Sequence, residues 1–144
     1  MARNILLIDD DADDRELFRE AISVVDPNVT YQAAEDGEDA LRKLVEPVVS
    51  LPDVIFLDIN LPGMSGWQCL KELKLKEPLR RIPVIMYSTS NHQRDKEIAK
   101  DLGAVCLITK PANYRVLVEI LTTVVNYTRT GNVHKIEEEL CNSN

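Results

Sequence analysis

The stretch Val54-Ile55-Phe56-Leu57-Asp58 constrains this chain more than any other. Four apolar residues run unbroken into one carboxylate, and Ile59-Asn60-Leu61-Pro62-Gly63 follows at once. An unbroken apolar run bounded by turn residues is the signature of a strand buried on both faces, because a strand with one wet face alternates instead. Asp58 then stands at the C-terminal mouth of a central strand, where open α/β sheets place their chemistry. A carboxylate beside a core needs a partner, since an unpaired buried charge is costly.

Three more runs of the same kind flank it. Ile5-Leu6-Leu7-Ile8 ends in Asp9-Asp10-Asp11, Val84-Ile85-Met86-Tyr87 in Ser88-Thr89-Ser90, and Val105-Cys106-Leu107-Ile108-Thr109 in Lys110-Pro111. Val29 to Ala33 alternates and suits a strand nearer an edge. Between the strands lie helical patterns. The first carries Leu17, Phe18, Ala21, Ile22 and Val25, capped by Asp13 or Asp14. The second carries Ala40, Leu41, Leu44 and Val45 and closes at Glu46-Pro47, with 48–52 as a connection. The third has Trp67, Leu70 and Leu73 inward and Lys71, Lys74 and Lys76 on its solvated side, and Gly63 and Gly66 in the loop before it are read as supplying backbone freedom. The fourth, from about Gln93 to Leu102, is weakly apolar and ends at Gly103; the fifth is capped by Asn113, with Tyr114, Leu117, Val118, Leu121 and Val125 inward. Five strands alternating with five helices predict a doubly wound parallel sheet in the flavodoxin-like order 2-1-3-4-5, with helices on both faces. Residues Thr128 to Asn132 read as a polar turn, and Lys135 to Leu140 as one or two extra helical turns with Ile136 and Leu140 on one side.

Composition narrows the function. A net charge of −7 argues against a nucleic-acid surface or an anionic membrane as partner. No apolar run approaches the ~20 residues of a membrane span, and the N-terminus turns acidic too soon for a signal peptide. The 3 cysteines, Cys69, Cys106 and Cys141, lack metal-ligand spacing and read as reduced thiols in a cytoplasmic protein.

In a parallel sheet all strand C-termini point one way, so Asp9-Asp10, Asp58, Ser88-Thr89 and Lys110 can converge. Three close carboxylates repel, and a hard divalent cation removes the conflict. Asp10 and Asp58 can each give Mg²⁺ one oxygen, the backbone carbonyl of Asn60 a third, and Asp9 can hold a metal-bound water. A carboxylate so placed is a nucleophile towards phosphorus, with Lys110 and the Ser88 hydroxyl facing the phosphoryl oxygens and an aspartyl phosphate on Asp58 as product.

These pieces, together with Gly63-Met64-Ser65-Gly66 and Gly103-Ala104, resemble the receiver domain of two-component response regulators, the CheY-like family, over residues ~4 to 126. The resemblance implies Asp58 as phosphoacceptor, Asp9 and Asp10 as the acidic pair, Ser88 as switch hydroxyl and Lys110 as the family lysine. It implies a histidine kinase or histidine phosphotransfer protein as donor, a downstream protein target, and a partner or homodimer surface on helix 4, strand 5 and helix 5. It also implies a cis peptide before Pro111. Two positions depart from the pattern. Leu107 stands where the family often has an aromatic lever, and Thr89 where it often has Ala or Gly, which predicts slow self-dephosphorylation. Tyr87, beside Ser88, is expected to point to the opposite face of its strand. Residues 1–127 are expected to be the receiver and 128–144 a tail or short extra helix without an output domain; the alternative is a receiver cut from a longer regulator. A phosphatase of the haloacid-dehalogenase type is the rival enzyme reading, but it needs a second Asp two residues after the nucleophile, where this chain has Asn60.

Overall fold

The computed structural model describes residues 3–46 and 50–141. The chain runs β1 (Asn4–Ile8), α1 (Ala12–Val25), β2 (Thr30–Ala34), α2 (Gly37–Leu44), β3 (Val54–Leu57), α3 (Gly66–Leu75), a 3₁₀ turn (Leu79–Arg81), β4 (Val84–Ser88), α4 (Gln93–Asp101), β5 (Cys106–Thr109), α5 (Tyr114–Thr130), α6 (His134–Ile136) and a π turn (Glu137–Cys141). All strand pairs are parallel, in the order β2-β1-β3-β4-β5. This is the doubly wound sheet that the alternating pattern predicts.

The apolar runs are continuous because both faces of the central strands are covered. Leu6, Ile8, Ile55, Leu57, Val84, Met86 and Leu107 pack with Ala40 and Leu44 of α2, Leu70 and Leu73 of α3, and Ala99 of α4. The alternate residues Ile5, Leu7, Val54, Phe56, Ile85, Tyr87 and Ile108 pack with Phe18 and Ile22 of α1 and Leu117, Leu121 and Val124 of α5. Phe56 and Tyr87 meet Phe18 edge-on, with ring centroids 4.9 and 5.6 Å away. Ala99 is the one buried residue of α4, so this helix packs as lightly as its sequence suggests.

Several local expectations are corrected. The cap of α1 is Asp11, whose side chain accepts from Asp14 N, rather than Asp13 or Asp14. Leu17, Val45 and Tyr114 are exposed: Leu17 points away from the Phe18 face, Val45 lies past the last turn of α2, and Tyr114 opens α5 before its buried face begins at Leu117. The Pro47 closure and the start of the 48–52 connection lie outside the described residues. Lys74 is not simply solvated: its ammonium donates to the carbonyls of Arg80 and Ile82 and ties α3 to the turn before β4. Gly63 does adopt a left-handed φ of 72°, but Gly66 is required for room, since a Cβ there would lie 2.0 Å from the Asp58 carbonyl oxygen. Among the described residues the cis peptide is Glu77–Pro78, and the bond before Pro111 is trans, with Lys110 N–H extending the ladder to Ser88 O at 2.7 Å.

The C-terminal region departs most. The polar run at Thr128 does not break α5, which continues to Thr130 and stops at Gly131 (φ 75°). The chain then folds back on the edge strand. Ile136 is fully buried in the α1–α5 layer, and Cys141 reaches Cys106 of β5, with Cα atoms 6.2 Å apart and a disulfide between them. The expectation of three reduced thiols is therefore corrected: Cys69 alone is free, and burial pushes its thiol up to about 12. Spacing along the chain holds no sign of this pairing, because only the return of α6 brings together residues 35 apart.

Candidate functional site

Strand register builds the mouth of the sheet. Ile8 and Leu57 are paired, so the residues that follow them, Asp9 and Asp58, emerge side by side. Their backbones are held there: Asp58 N–H donates to Ile8 O at 3.0 Å and Asp9 N–H to Ala34 O at 3.1 Å. Gly66 N–H donates to Ile59 O at 2.8 Å and folds the following loop against the back of Asp58. Ser65 and Gln68 then start α3 with a reciprocal capping box.

Asp9 and Asp58 are buried and Asp10 is exposed; carboxylate oxygens of all three lie within 4.8 Å of one another. Lys110 enters from β5, its side chain 11% exposed. Its Nζ lies 2.8 Å from Asp9 Oδ2, 2.8 Å from Asp14 Oδ2 and 3.1 Å from Asp58 Oδ2. The Asp14 and Asp58 contacts are hydrogen bonds, whereas the Asp9 contact is an ion pair not aligned as one. Asp58 Oδ1 accepts from Asn60 N–H at 3.3 Å. Burial raises the Asp9 carboxyl above the usual range, against the pull of Lys110 and of the Asp11 N–H it accepts; the Asp58 charge raises it further. Burial would lower the Lys110 ammonium, but its close contacts with the Asp14 and Asp9 carboxylates and the charges of Asp9 and Asp58 outweigh it and raise it, so the lysine stays charged.

Ser88 is wholly buried at the end of β4, and its hydroxyl has no hydrogen-bond partner. Such an orphan is uncommon, because an unsatisfied buried hydroxyl is destabilising. Thr89 stands exposed one residue farther on, and Asn60 is exposed just past Asp58. Leu107 is buried on the α2–α3–α4 side of the sheet, while Tyr87 points to the α1–α5 side as expected. Tyr87 still reaches the site from below: Lys110 Nζ sits 5.7 Å from its ring centroid.

Two further residues, Asp14 and Arg15, support the site. Asp14, a capping candidate by sequence, instead turns its carboxylate to Lys110; its place in the first turn of the helix that follows the Asp9-Asp10 strand end is the sequence signal for this. Arg15 donates to the Asp9 carbonyl at 2.8 Å and fixes the loop that carries the acidic pair, with no motif to mark it.

The family of response regulator receiver domains matches residues 5–122. The chain belongs to this family. It is 37% identical over 126 residues to the phosphate regulon transcriptional regulatory protein PhoB of Escherichia coli, covering 87% of this chain and 52% of that protein. It is 34% identical to the transcriptional regulatory protein CpxR of Klebsiella pneumoniae, covering 84% of this chain and 48% of that one. This receiver thus spans about half the length of the curated relatives it matches. In solved structures it is similar to the phosphorylated cyanobacterial phytochrome response regulator RcpA, with a TM-score of 0.82 and 32% identity over 91% of this chain and 96% of that one. It is also similar to the Mn²⁺-bound form of the response regulator Rcp1, with a TM-score of 0.77 and 28% identity over 87% and 93% of the two chains. The receiver is a module of two-component signalling. Among its described residues no helix is long and apolar enough to cross a membrane.

Proposed function

We propose that this receiver accepts a phosphoryl group on Asp58 from the phosphohistidine of a kinase or phosphotransfer protein and thereby switches a protein–protein interaction. One observation carries the reading: the Asp58 carboxylate lies within the Asp9–Asp10–Asp58 cluster while it touches the Lys110 ammonium. The neighbours support it, since one is named as phosphorylated and another as Mn²⁺-bound.

In the transfer, an Asp58 carboxylate oxygen forms a bond to phosphorus as the bond from phosphorus to the donor's imidazole nitrogen breaks. The electron pair of that bond stays on the imidazole, which takes a proton. Hydrolysis later returns the carboxylate and releases inorganic phosphate. The three-carboxylate cluster suits a hard cation: Asp9, Asp10, Asp58 and the Asn60 carbonyl would hold Mg²⁺, which neutralises charge on the phosphoryl oxygens. Lys110 supplies a positive charge that needs no metal, and the unpaired Ser88 hydroxyl is the donor that a new phosphoryl oxygen would satisfy. Thr89 is exposed one residue past Ser88, where a branched side chain would screen the approach of water. The Lys110 and Ser88 contacts would bias the lightly packed α4 and its surroundings between two states.

Residues 1–127 are proposed as the switching unit and 128–144 as an extension of it. Working beside its kinase in the cytoplasm, it meets a protein target; its −7 charge disfavours direct contact with nucleic acid or an anionic membrane. A homodimer through α4, β5 and α5 must share that face with the C-terminal turn, because Glu137 pairs with Lys100 of α4 and Cys141 is joined to β5. The test is to incubate the chain with Mg²⁺ and acetyl phosphate or a phosphorylated histidine kinase and to map the product by mass spectrometry. Phosphate on Asp58 is expected; phosphate elsewhere, or none with any donor, overturns the reading.

A further inference from the structure

The Lys110 ammonium has more anionic partners than a two-carboxylate contact requires. Asp9 and Asp58 belong to the cluster that would hold a cation, but Asp14 does not: it projects from the first turn of α1 and meets Lys110 from outside that cluster. The three lysine contacts are of nearly equal length, and Lys110 is almost enclosed between the carboxylates and the Tyr87 ring. The position of Asp14 is itself fixed, since its backbone N–H bonds the Asp11 cap at 3.0 Å and the adjacent Arg15 bonds the Asp9 carbonyl at 2.8 Å.

We propose that Asp14 is a positioning residue that holds Lys110 beside the phosphoacceptor when a divalent cation takes the oxygens of Asp9 and Asp58. The inference rests on the phosphoacceptor reading of Asp58. Its logic is a competition. Without Asp14, the close anions left to the lysine among the described residues are Asp9 and Asp58, carboxylates that the cation also needs, so ammonium and metal compete for them. With Asp14, the lysine keeps a charge-assisted hydrogen bond outside the metal set and remains within reach of an arriving phosphoryl oxygen. Asp14 acts through Lys110 and touches neither cation nor phosphoryl group.

The test is a double-mutant cycle on the full chain, which separates coupling between two side chains from independent effects. Asp14→Asn, Lys110→Met and the double variant are compared with the parent in Mg²⁺ affinity, by calorimetry, and in phosphorylation rate with acetyl phosphate. Asp14→Asn is expected to weaken Mg²⁺ binding and slow phosphorylation, each on the order of fivefold, while Lys110 is present. In the Lys110→Met background most of the effect on Mg²⁺ affinity should vanish, and Asp14→Glu should restore the parent behaviour. The thermal melting of each variant is recorded so that a folding defect is seen as one. Equal Mg²⁺ affinity and rate in Asp14→Asn and the parent, or the same loss of affinity with and without Lys110, overturns the assignment. A parent chain that binds no Mg²⁺ and takes no phosphate on Asp58 instead overturns the phosphoacceptor reading, so the two failures are distinguishable.

Discussion

The mouth of the sheet and the β5 edge are built by different means. At the mouth, the polar groups other than Asp14 follow the ends of apolar strands, and parallel register brings Asp9 and Asp58 together: Ile8 pairs with Leu57, and the two acids follow. At the edge, β5 is covered by a segment that turns back from Gly131, buries Ile136, pairs Glu137 with Lys100 and joins Cys141 to Cys106. The mouth is electrostatically crowded, with the Ser88 hydroxyl unpaired, three carboxylates on one ammonium and a fourth, Asp10, beside two of them. The edge is held by one fully buried apolar anchor, an ion pair and a covalent link. Function is expected to fail when the mouth is altered, and stability when the edge or the backbone beneath the mouth is altered.

The largest expected effect is Asp58→Asn. It leaves the fold in place, because the amide keeps its volume and can still accept from Lys110, yet it removes the nucleophile. Phosphorylation measured by mass spectrometry should fall to nothing, with an unchanged far-ultraviolet circular dichroism spectrum. A variant still modified at the same level would show that the mouth is not where phosphate goes.

Gly66→Ala comes next and strikes the scaffold under the mouth. A Cβ would lie 2.0 Å from the Asp58 carbonyl oxygen and 2.7 Å from the Ile59 Cα, both backbone atoms that cannot swing aside. Overpacking against backbone should destabilise the chain by about 3 kcal/mol in urea unfolding and displace Asp58 as well. An unaltered midpoint would mean that the loop relaxes easily and that the mouth is less rigidly seated than its hydrogen bonds suggest.

That contrast also explains what could be read from the sequence. The strand order, the layered core and the convergence of Asp9, Asp10, Asp58 and Lys110 follow from local patterns, because a buried parallel strand announces itself residue by residue. Asp14 was hidden because an acid in the first turn of a helix is equally well explained by capping and by the helix dipole. The trans bond before Pro111 ran against an expectation drawn from likeness alone. The disulfide was hidden for a deeper reason: residues 35 apart meet only through the tertiary path of α5 and α6. Leu107 is legible as a buried strand residue, but its neighbour Tyr87 supplies the aromatic surface under Lys110 from the other side of the sheet.

At the edge, two variants separate the anchor from the link. Ile136→Ala removes a fully buried side chain and should destabilise the chain by about 2–4 kcal/mol. Cys141→Ser, or reduction with a dithiol, removes a closure of 35 residues and should destabilise by about 2–3 kcal/mol. Cytoplasmic thiols are kept reduced, so in the proposed compartment Ile136 and the Glu137–Lys100 and Tyr127–Glu139 contacts would carry the segment without the covalent link. Native alkylation followed by mass spectrometry reads the thiols directly: Cys69 should stay unmodified in both redox states because its thiol is buried and neutral. If Ile136→Ala leaves the unfolding midpoint where it was, the segment is an appendage and the edge is open.

Thr89→Ala has the smallest expected effect and returns to the mouth. Thr89 is exposed beside the buried Ser88, so its side chain adds nothing to the core and its removal should leave stability within about 0.5 kcal/mol. What it alters is access. On the proposed reading, a branched side chain at the rim would narrow the path by which water reaches a phosphoryl group on Asp58, whereas Ser88 and Lys110 would act on the group itself. Removing it should speed loss of phosphate by a few-fold, followed by mass spectrometry after the donor is removed, while the rate of phosphorylation by acetyl phosphate changes in the same direction. A phosphoryl half-life identical to that of the parent would show that hydrolysis is limited by the geometry around Asp58 rather than by the rim. The slow dephosphorylation expected from Thr89 would then have to come from the charges that hold Lys110.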